Sequence, residues 1–190
     1  MKTISRGVRV EEFQPVASRS KGIHCSDLIK RILRRMDPER FKGEEPDPNR
    51  LVVGFIWEEM ISTGFASLAR KKTKVHQFEL CTEMCGRQVF FTLDGLDYAK
   101  WRVHEYKATW MSARHPITDH RFWHWFVQMK AYCKVAQTQE AELWAFFVNG
   151  TYRNGPEMKR WEVTFSKREI EENWLMLTNT LKEMIREGEV

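Results

Sequence analysis

The sequence lacks the long apolar run of a membrane-spanning helix anywhere in its 190 residues. Such a helix needs about 18 to 20 consecutive apolar residues. The first residues, MKTISRGVRVEEF, also lack the apolar segment of a secretory signal peptide. We therefore expect a cytoplasmic protein with no membrane partner.

Cysteine is scarce, with four residues at positions 25, 81, 85 and 133. So few and scattered thiols do not build a disulfide framework in a chain of this size, which favours a reducing compartment. Cys81 and Cys85 have a CxxxC spacing, but zinc would need further ligands such as Cys25 or His76. Free cysteines more often act as small buried hydrophobic residues, so we expect no metal at these thiols.

Repeats and low-complexity tracts are also missing, and 42% of the residues are hydrophobic against 30% charged. This composition predicts a single globular domain over residues 1–190, with enough apolar material for a core. The net charge is +5. This balance suits a polyanionic partner such as DNA but does not by itself require one.

The hydrophobic pattern alternates between helical and strand periods along the chain. Helices are predicted from Ser26 as N-cap, over Leu51–Leu68, over Asp119–Val135, and after the capping box formed by Ser166 and Glu169. Strands are predicted at residues 75–80, 87–93, 101–107, 141–148 and 159–165, the first three adjacent and largely antiparallel. The fold class is therefore α/β, with a mixed central β-sheet flanked by helices.

The segment FFTLDGLDYAKWRVHEYKAT carries the clearest chemical pattern. Glu105 and Lys107 are two residues apart on one strand, so their side chains lie on the same face, about 6.6 Å apart along the strand. If that strand pairs with the one ending at Asp94, two carboxylates converge, and a cation such as Mg²⁺ or Mn²⁺ would stabilise them. The alternative is that Asp94 begins an ordinary Asp-Gly turn and that Glu105 and Lys107 form a solvated ion pair.

Two further features favour a site. Glu58 lies among apolar residues of the second predicted helix, where a carboxylate needs a partner or a cation. His124, Gln128 and Tyr132 recur every four residues and form a polar stripe on the next helix.

Together, the motifs GFIWE, TLDGLD, HEYK and QMKAY resemble those of the PD-(D/E)xK nuclease superfamily, in particular its RecB-like branch of viral exonucleases and CRISPR-associated relatives. The resemblance covers residues of about 50–150 in motif order and spacing. It implies a restriction-endonuclease-like core over 51–150, preceded by a helical segment and loop (1–50) and followed by a terminal strand and helix (151–190).

The resemblance also implies a role for each matching residue. A divalent Mg²⁺ or Mn²⁺ ion would be bound by Glu58, Asp94, Glu105 and the main-chain carbonyl of Tyr106. Lys107 would orient the attacking water and stabilise negative charge. Gln128 and Tyr132 would position the metal site or the scissile strand.

The sequence departs from the branch at Trp57, where histidine is common, and it has no cysteine after Cys133, so we expect no iron–sulfur cluster. The implied function is a deoxyribonuclease, specifically an exonuclease of viral or bacterial recombination, repair or CRISPR-related processing, acting on single- or double-stranded DNA. A homo-oligomer or a recombination partner protein would be compatible with it. The alternatives are a structure-specific or restriction-type endonuclease, and a non-catalytic DNA-binding module.

One loop carries a separate pattern. Trp110, Arg114 and His115 follow the strand of Glu105 and could stack on bases or contact phosphates near the site. An ordinary surface loop explains them equally well.

Overall fold

The structure, a computed structural model, describes residues 20–39, 41, 52–57, 59–60 and 78–190. Within these ranges, no helix combines the length and the apolar character needed to cross a membrane. The predictions for Glu58, for most of the Leu51–Leu68 helix and for the start of the first predicted strand lie outside the described residues.

Along the described part of the chain, the helices and strands follow one another in nearly the predicted order. The helical elements are α1 (Cys25–Met36), α2 (residues 52–57 and 59–60), a 3₁₀ turn (His120–Phe122), α3 (Trp123–Val135) and α4 (Lys167–Arg186). The strands are β1 (Ile23–His24), β2 (Phe78–Met84), β3 (Arg87–Leu93), β4 (Gly95–Asp97), β5 (Arg102–Thr109), β6 (Glu140–Phe147) and β7 (Glu157–Thr164).

The strands form two mixed sheets, in the orders β1-β3-β2 and β4-β5-β6-β7. In the larger sheet β5 and β6 are parallel, whereas β4 and β7 pair antiparallel with them. Helices α1, α3 and α4 contribute buried residues to one hydrophobic core with both sheets. The predicted α/β class with a mixed sheet flanked by helices is therefore confirmed.

The predicted pairing of three adjacent strands is wrong in one respect. Strand β3 lies between β1 and β2, and it is the short strand β4, predicted as part of a turn, that pairs with β5. The chain leaves one sheet and enters the other at Asp94, where Gly95 begins the new pairing opposite His104. Asp94 therefore stands at the junction of the two sheets.

The N-termini of α4 and α1 can be compared with the capping residues predicted from the sequence. The capping box before α4 is confirmed, because the Glu169 backbone N–H donates to Ser166 Oγ at 3.2 Å and the Ser166 N–H donates to Glu169 Oε2 at 2.8 Å. At α1 the predicted N-cap Ser26 is wrong: the N-cap is His24, whose backbone N–H donates to the Asp27 carboxylate at 3.0 Å. A carboxylate three residues after the cap satisfies that N–H, and this shifts the helix start by two residues.

Helix α3 is placed as the sequence predicts. Asp119 precedes it and accepts a hydrogen bond from the Arg121 backbone N–H at 2.9 Å, which caps the 3₁₀ turn. Its predicted apolar face is buried at Phe122, Trp125 and Met129. This packing presents the polar stripe of the helix to β5.

Candidate active site

Strand β5 divides its side chains between two environments. Val103 lies in the main core, and Glu105 and Lys107, two and four residues later, lie on the same face of the strand. Tyr106 packs on the opposite face with Trp57 and Trp144. Glu105 is completely buried although it carries a carboxylate. A buried carboxylate needs a compensating charge, so its surroundings define the candidate site.

That charge comes from the same strand. Lys107 Nζ forms an ion pair with Glu105 Oε1 and also donates a hydrogen bond to Gln128 Oε1 at 3.1 Å. Gln128 Nε2 in turn donates to Tyr132 Oη at 2.7 Å. The structure thus brings four of the predicted residues into one continuous chain, from Glu105 through Lys107 and Gln128 to Tyr132.

The groups around Glu105 respond to its charge. Burial raises the pKa of Tyr132, and the carboxylate of Glu105 raises it further. Burial likewise raises the pKa of the Cys25 thiol, with Glu105 as the next contribution. Both groups therefore stay neutral at ordinary pH, and Lys107 is the cation that pairs with the buried carboxylate. Sequence patterns gave no signal that Cys25, at the start of α1, would lie here.

Asp94 reaches the same strand from the other side. Its Oδ2 accepts a hydrogen bond from the Tyr106 backbone N–H at 2.7 Å. The N–H and C=O of one strand residue point to the same side, so the Tyr106 carbonyl is also directed to this edge of β5. Asp94, the Tyr106 carbonyl and Glu105 therefore lie around the same short stretch of strand.

These oxygen donors are the type that Mg²⁺ and Mn²⁺ prefer. Among the described residues, no three His, Cys, Asp or Glu side chains form a group that could hold a metal ion. The third predicted carboxylate, Glu58, lies outside those residues. The carboxylates of Asp94 and Glu105 and the main-chain carbonyl of Tyr106 thus fit a divalent cation in their chemistry. They would supply part of its ligands.

Trp57, the departure from the family pattern, has a packing role. It is 4% exposed and stacks on Phe146 with ring centroids 4.8 Å apart. It belongs to a small cluster with Tyr106 and Trp144 on the face of β5 opposite Glu105. The indole therefore fixes α2 against the sheet.

A second buried carboxylate, Glu142 on β6, was not predicted from the sequence. It is 4% exposed and accepts hydrogen bonds from Arg102 at 3.2 Å and from Arg160 at 2.6 Å. Burial by itself would raise the pKa of Glu142, but the hydrogen bond from Arg160 and the nearby His104 lower it to about 2. Glu142 and Trp144 are two residues apart on a strand, so their side chains lie on the same face, the one that Tyr106 occupies. This spacing from a buried tryptophan was the sequence pattern that could have predicted the burial of Glu142.

Comparison with known proteins adds information on the fold. No model of a known protein family matches the sequence, and no curated protein matches it. Among solved structures, SSO0001 matches with a TM-score of 0.57 and 12% identity, over 90% of this chain and 78% of that chain.

An alkaline exonuclease (LHK-Exo) from Laribacter hongkongensis matches with a TM-score of 0.48 and 13% identity, over 88% of this chain and 90% of that chain. LHK-Exo in complex with dAMP matches with a TM-score of 0.48 and 14% identity over the same shares. At 12% identity, the likeness to SSO0001 establishes a similar fold.

Proposed function

We propose that the protein is a deoxyribonuclease that depends on Mg²⁺ or Mn²⁺, and that it acts as an exonuclease in viral or bacterial DNA recombination or repair. One observation carries the proposal: the fully buried Glu105 is ion-paired with Lys107, and the carboxylate of Asp94 accepts the backbone N–H of Tyr106, the residue between them. This juxtaposition of carboxylates and an ammonium group is suited to phosphodiester hydrolysis, because the phosphate is anionic and repels hydroxide.

Asp94, Glu105 and the Tyr106 carbonyl would hold the metal, with Glu58 as a further ligand implied by the motif. The metal would polarise the phosphate and lower the pKa of the attacking water. Lys107 would orient that water and stabilise the negative charge that develops on the phosphate oxygens. The hydrogen bond from the Tyr106 N–H holds Asp94 at the strand edge.

Gln128 and Tyr132 act through Lys107. Gln128 Oε1 accepts one N–H of the ammonium group and fixes its direction, and Tyr132 Oη holds the other end of the Gln128 amide. Because Tyr132 is buried, its ring also anchors this contact to the core. We therefore assign these two side chains a positioning role.

The test is incubation of the purified protein with end-labelled single- and double-stranded DNA in EDTA, Mg²⁺ or Mn²⁺. Degradation that requires metal supports the proposal, and a stepwise ladder from one end identifies an exonuclease. Internal cutting would instead assign an endonuclease. DNA binding without cleavage in any metal would contradict the proposed hydrolysis and favour a DNA-binding module.

A further inference from the structure

Two loops beyond the candidate site are joined into one rim. Strands β5 and β6 are parallel, so the loops that follow them, residues 110–119 and 148–156, leave the same edge of the sheet. In α/β proteins, ligands commonly bind at the carboxyl ends of parallel strands. The strand pair Thr109 and Phe147 ends two residues after Lys107, which places this rim next to the candidate site.

The rim is held by hydrogen bonds between the two loops. The Ala113 N–H donates to the Gly150 carbonyl at 2.8 Å, and Asn149 Nδ2 donates to the Trp110 carbonyl at 3.1 Å. Lys159 Nζ donates to the Ala113 carbonyl at 2.6 Å. The two loops therefore form one preorganised surface.

Gly150 makes the second loop tight. Its φ is +48°, and a Cβ there would lie 1.7 Å from the Gly155 carbonyl oxygen. Any other residue would force the turn open. The closed turn brings Tyr152 to the first loop, where its hydroxyl lies near the Trp110 carbonyl.

Tyr152 is the aromatic residue that this turn presents to solvent. Its side chain is 67% exposed, although its backbone is in the left-handed region at φ +66°. Its hydroxyl lies 3.5 Å from the Trp110 carbonyl, so the ring extends over the end of β5. A non-glycine residue in this conformation costs about 1 to 2 kcal/mol, and no burial of the ring offsets it. A strained and exposed aromatic residue points to a use outside the folded core.

The charge of the rim indicates which ligand the ring would meet. Arg114 and Arg153 are exposed, and neither forms an ion pair with another described residue. Tyr152 contacts Trp110, which is three residues from Lys107 or about 10 Å along an extended strand. A nucleic-acid strand with one phosphate at Lys107 would therefore place a nearby base at Tyr152.

Among the described residues, Tyr98 and Trp101 are also exposed aromatic residues, and Trp101 likewise has a left-handed backbone at φ +52°. The Trp101 Nε1–H donates to the Ala136 carbonyl at 3.0 Å, so this ring already has a role within the fold, and the pair is less suitable as a platform. It lies between β4 and β5, at the opposite end of β5, with ring centroids 6.2 Å apart. Arg102, which follows it, is engaged by Glu140, Glu142 and Glu162. These carboxylates would repel a phosphate backbone.

We propose that Tyr152 is a base-stacking platform that receives an unpaired base of single-stranded DNA one or two nucleotides from the phosphate at Lys107, with Arg114 and Arg153 contacting its backbone. The proposal rests on the proposed function, because it takes the DNA phosphate to lie at Lys107. Stacking on an aromatic ring tolerates any base sequence and requires the base to be unpaired.

The test measures the affinity of the full chain for a fluorescent single-stranded oligonucleotide in EDTA, where no metal-dependent cleavage occurs. Tyr152→Ala should weaken binding at least fivefold, whereas Tyr152→Phe should bind within twofold of the unmodified protein because the ring remains. Tyr98→Ala, a change of the same type at the far end of β5, should leave the affinity unchanged. Binding of blunt duplex should be equal in all four proteins.

A second measurement locates the contact. A series of oligonucleotides with one abasic position each should show a loss of affinity at a single position for the unmodified protein, and Tyr152→Ala should be insensitive to that same position. Equal affinity of Tyr152→Ala and the unmodified protein would overturn the proposal. So would an equal loss in Tyr152→Phe, since that would indicate a role of the hydroxyl in the turn.

The outcomes also separate this proposal from the proposed function. A protein that cleaves DNA but binds single strands independently of Tyr152 refutes the stacking proposal alone. A protein that binds through Tyr152 but hydrolyses no DNA with any metal refutes the nuclease alone.

Discussion

The carboxylate of Asp94 accepts the backbone N–H of Tyr106 at 2.7 Å, and this contact joins the end of β3 to the strand that carries Glu105 and Lys107. In a regular ladder another strand's carbonyl would accept that N–H. Here the aspartate takes its place, so the sheet opens beside the buried glutamate. The junction of the two sheets and the candidate site are therefore the same structural feature.

Substitutions at Asp94 separate its two roles. Asp94→Ala should abolish the rise in melting temperature caused by Mn²⁺, because a metal that binds the native state stabilises it. Without metal it should also lose about 1 to 2 kcal/mol of unfolding free energy, since the Tyr106 N–H loses its acceptor. Asp94→Asn keeps an acceptor oxygen and should restore the metal-free stability while still lacking the Mn²⁺ response. Thermal melting with and without Mn²⁺ checks this, and an unchanged Mn²⁺ shift in Asp94→Ala would move the metal elsewhere.

Removal of the Lys107 ammonium group tests the catalytic assignment. Lys107→Ala should lower DNA cleavage at least about 100-fold, because charge on the phosphate is no longer stabilised in the transition state. DNA affinity should remain within a few-fold, since one phosphate contact is a small part of the total. Lys130→Ala, on α3 with its ammonium 4.0 Å from Glu169, is the matched loss of a lysine away from Glu105. Undiminished cleavage by Lys107→Ala would refute the assigned role.

Tyr132→Phe should have a smaller effect. It removes the hydroxyl that accepts from Gln128 but leaves the ring in the core, so Lys107 is held less firmly. We expect kcat to fall about 2- to 10-fold with little change in KM, because the contact positions a group that acts in the transition state. Steady-state kinetics checks the split. A folded but inactive protein would instead give Tyr132 a direct part in catalysis.

Acid should destabilise the protein through Glu142. Burial by itself would raise the pKa of Glu142 above 4.5, but the hydrogen bonds from Arg160 and Trp144 and the nearby His104 together lower it to about 2 in the folded protein. A lowered folded pKa contributes stability above the unfolded pKa, and that contribution is lost as the pH falls from about 4.5 to 2. We expect a loss of about 2 kcal/mol over this interval. Urea unfolding at pH 6 and pH 2.5 measures it, and Glu142→Gln should show a smaller difference; an equal difference in both proteins would assign the acid sensitivity to other groups.

Most patterns that depend on neighbouring residues were read correctly from the sequence, the N-cap of α1 being the exception. The capping box of Ser166 and Glu169 and the period-two alternation of Glu105 and Lys107 both depend on local geometry, and both are present. The polar stripe on α3 also reaches the site, since Gln128 accepts a hydrogen bond from Lys107 at 3.1 Å and donates one to Tyr132 at 2.7 Å.

Features that depend on distant parts of the chain were not predictable in the same way. The antiparallel pairing of β2 with β3 was predicted, but nothing in the sequence near Asp94 indicates that β3 also pairs with β1, or that Gly95–Asp97 takes the place of β3 beside β5. The burial of Glu142 between Arg102 and Arg160 likewise requires three strands to be in register. Strand partners are set by tertiary packing, which a one-dimensional pattern does not contain.

The most direct test of the account is the rate of DNA cleavage in Mn²⁺ by Glu105→Gln, measured beside the unmodified protein and Glu140→Gln. The two substitutions remove the same charge, one from the buried carboxylate paired with Lys107 and one from a partly exposed glutamate at the start of β6. The account predicts metal-dependent cleavage by the unmodified protein and by Glu140→Gln, and its loss in Glu105→Gln with the fold retained by circular dichroism. Cleavage by Glu105→Gln at the rate of the unmodified protein would contradict the assignment of this site.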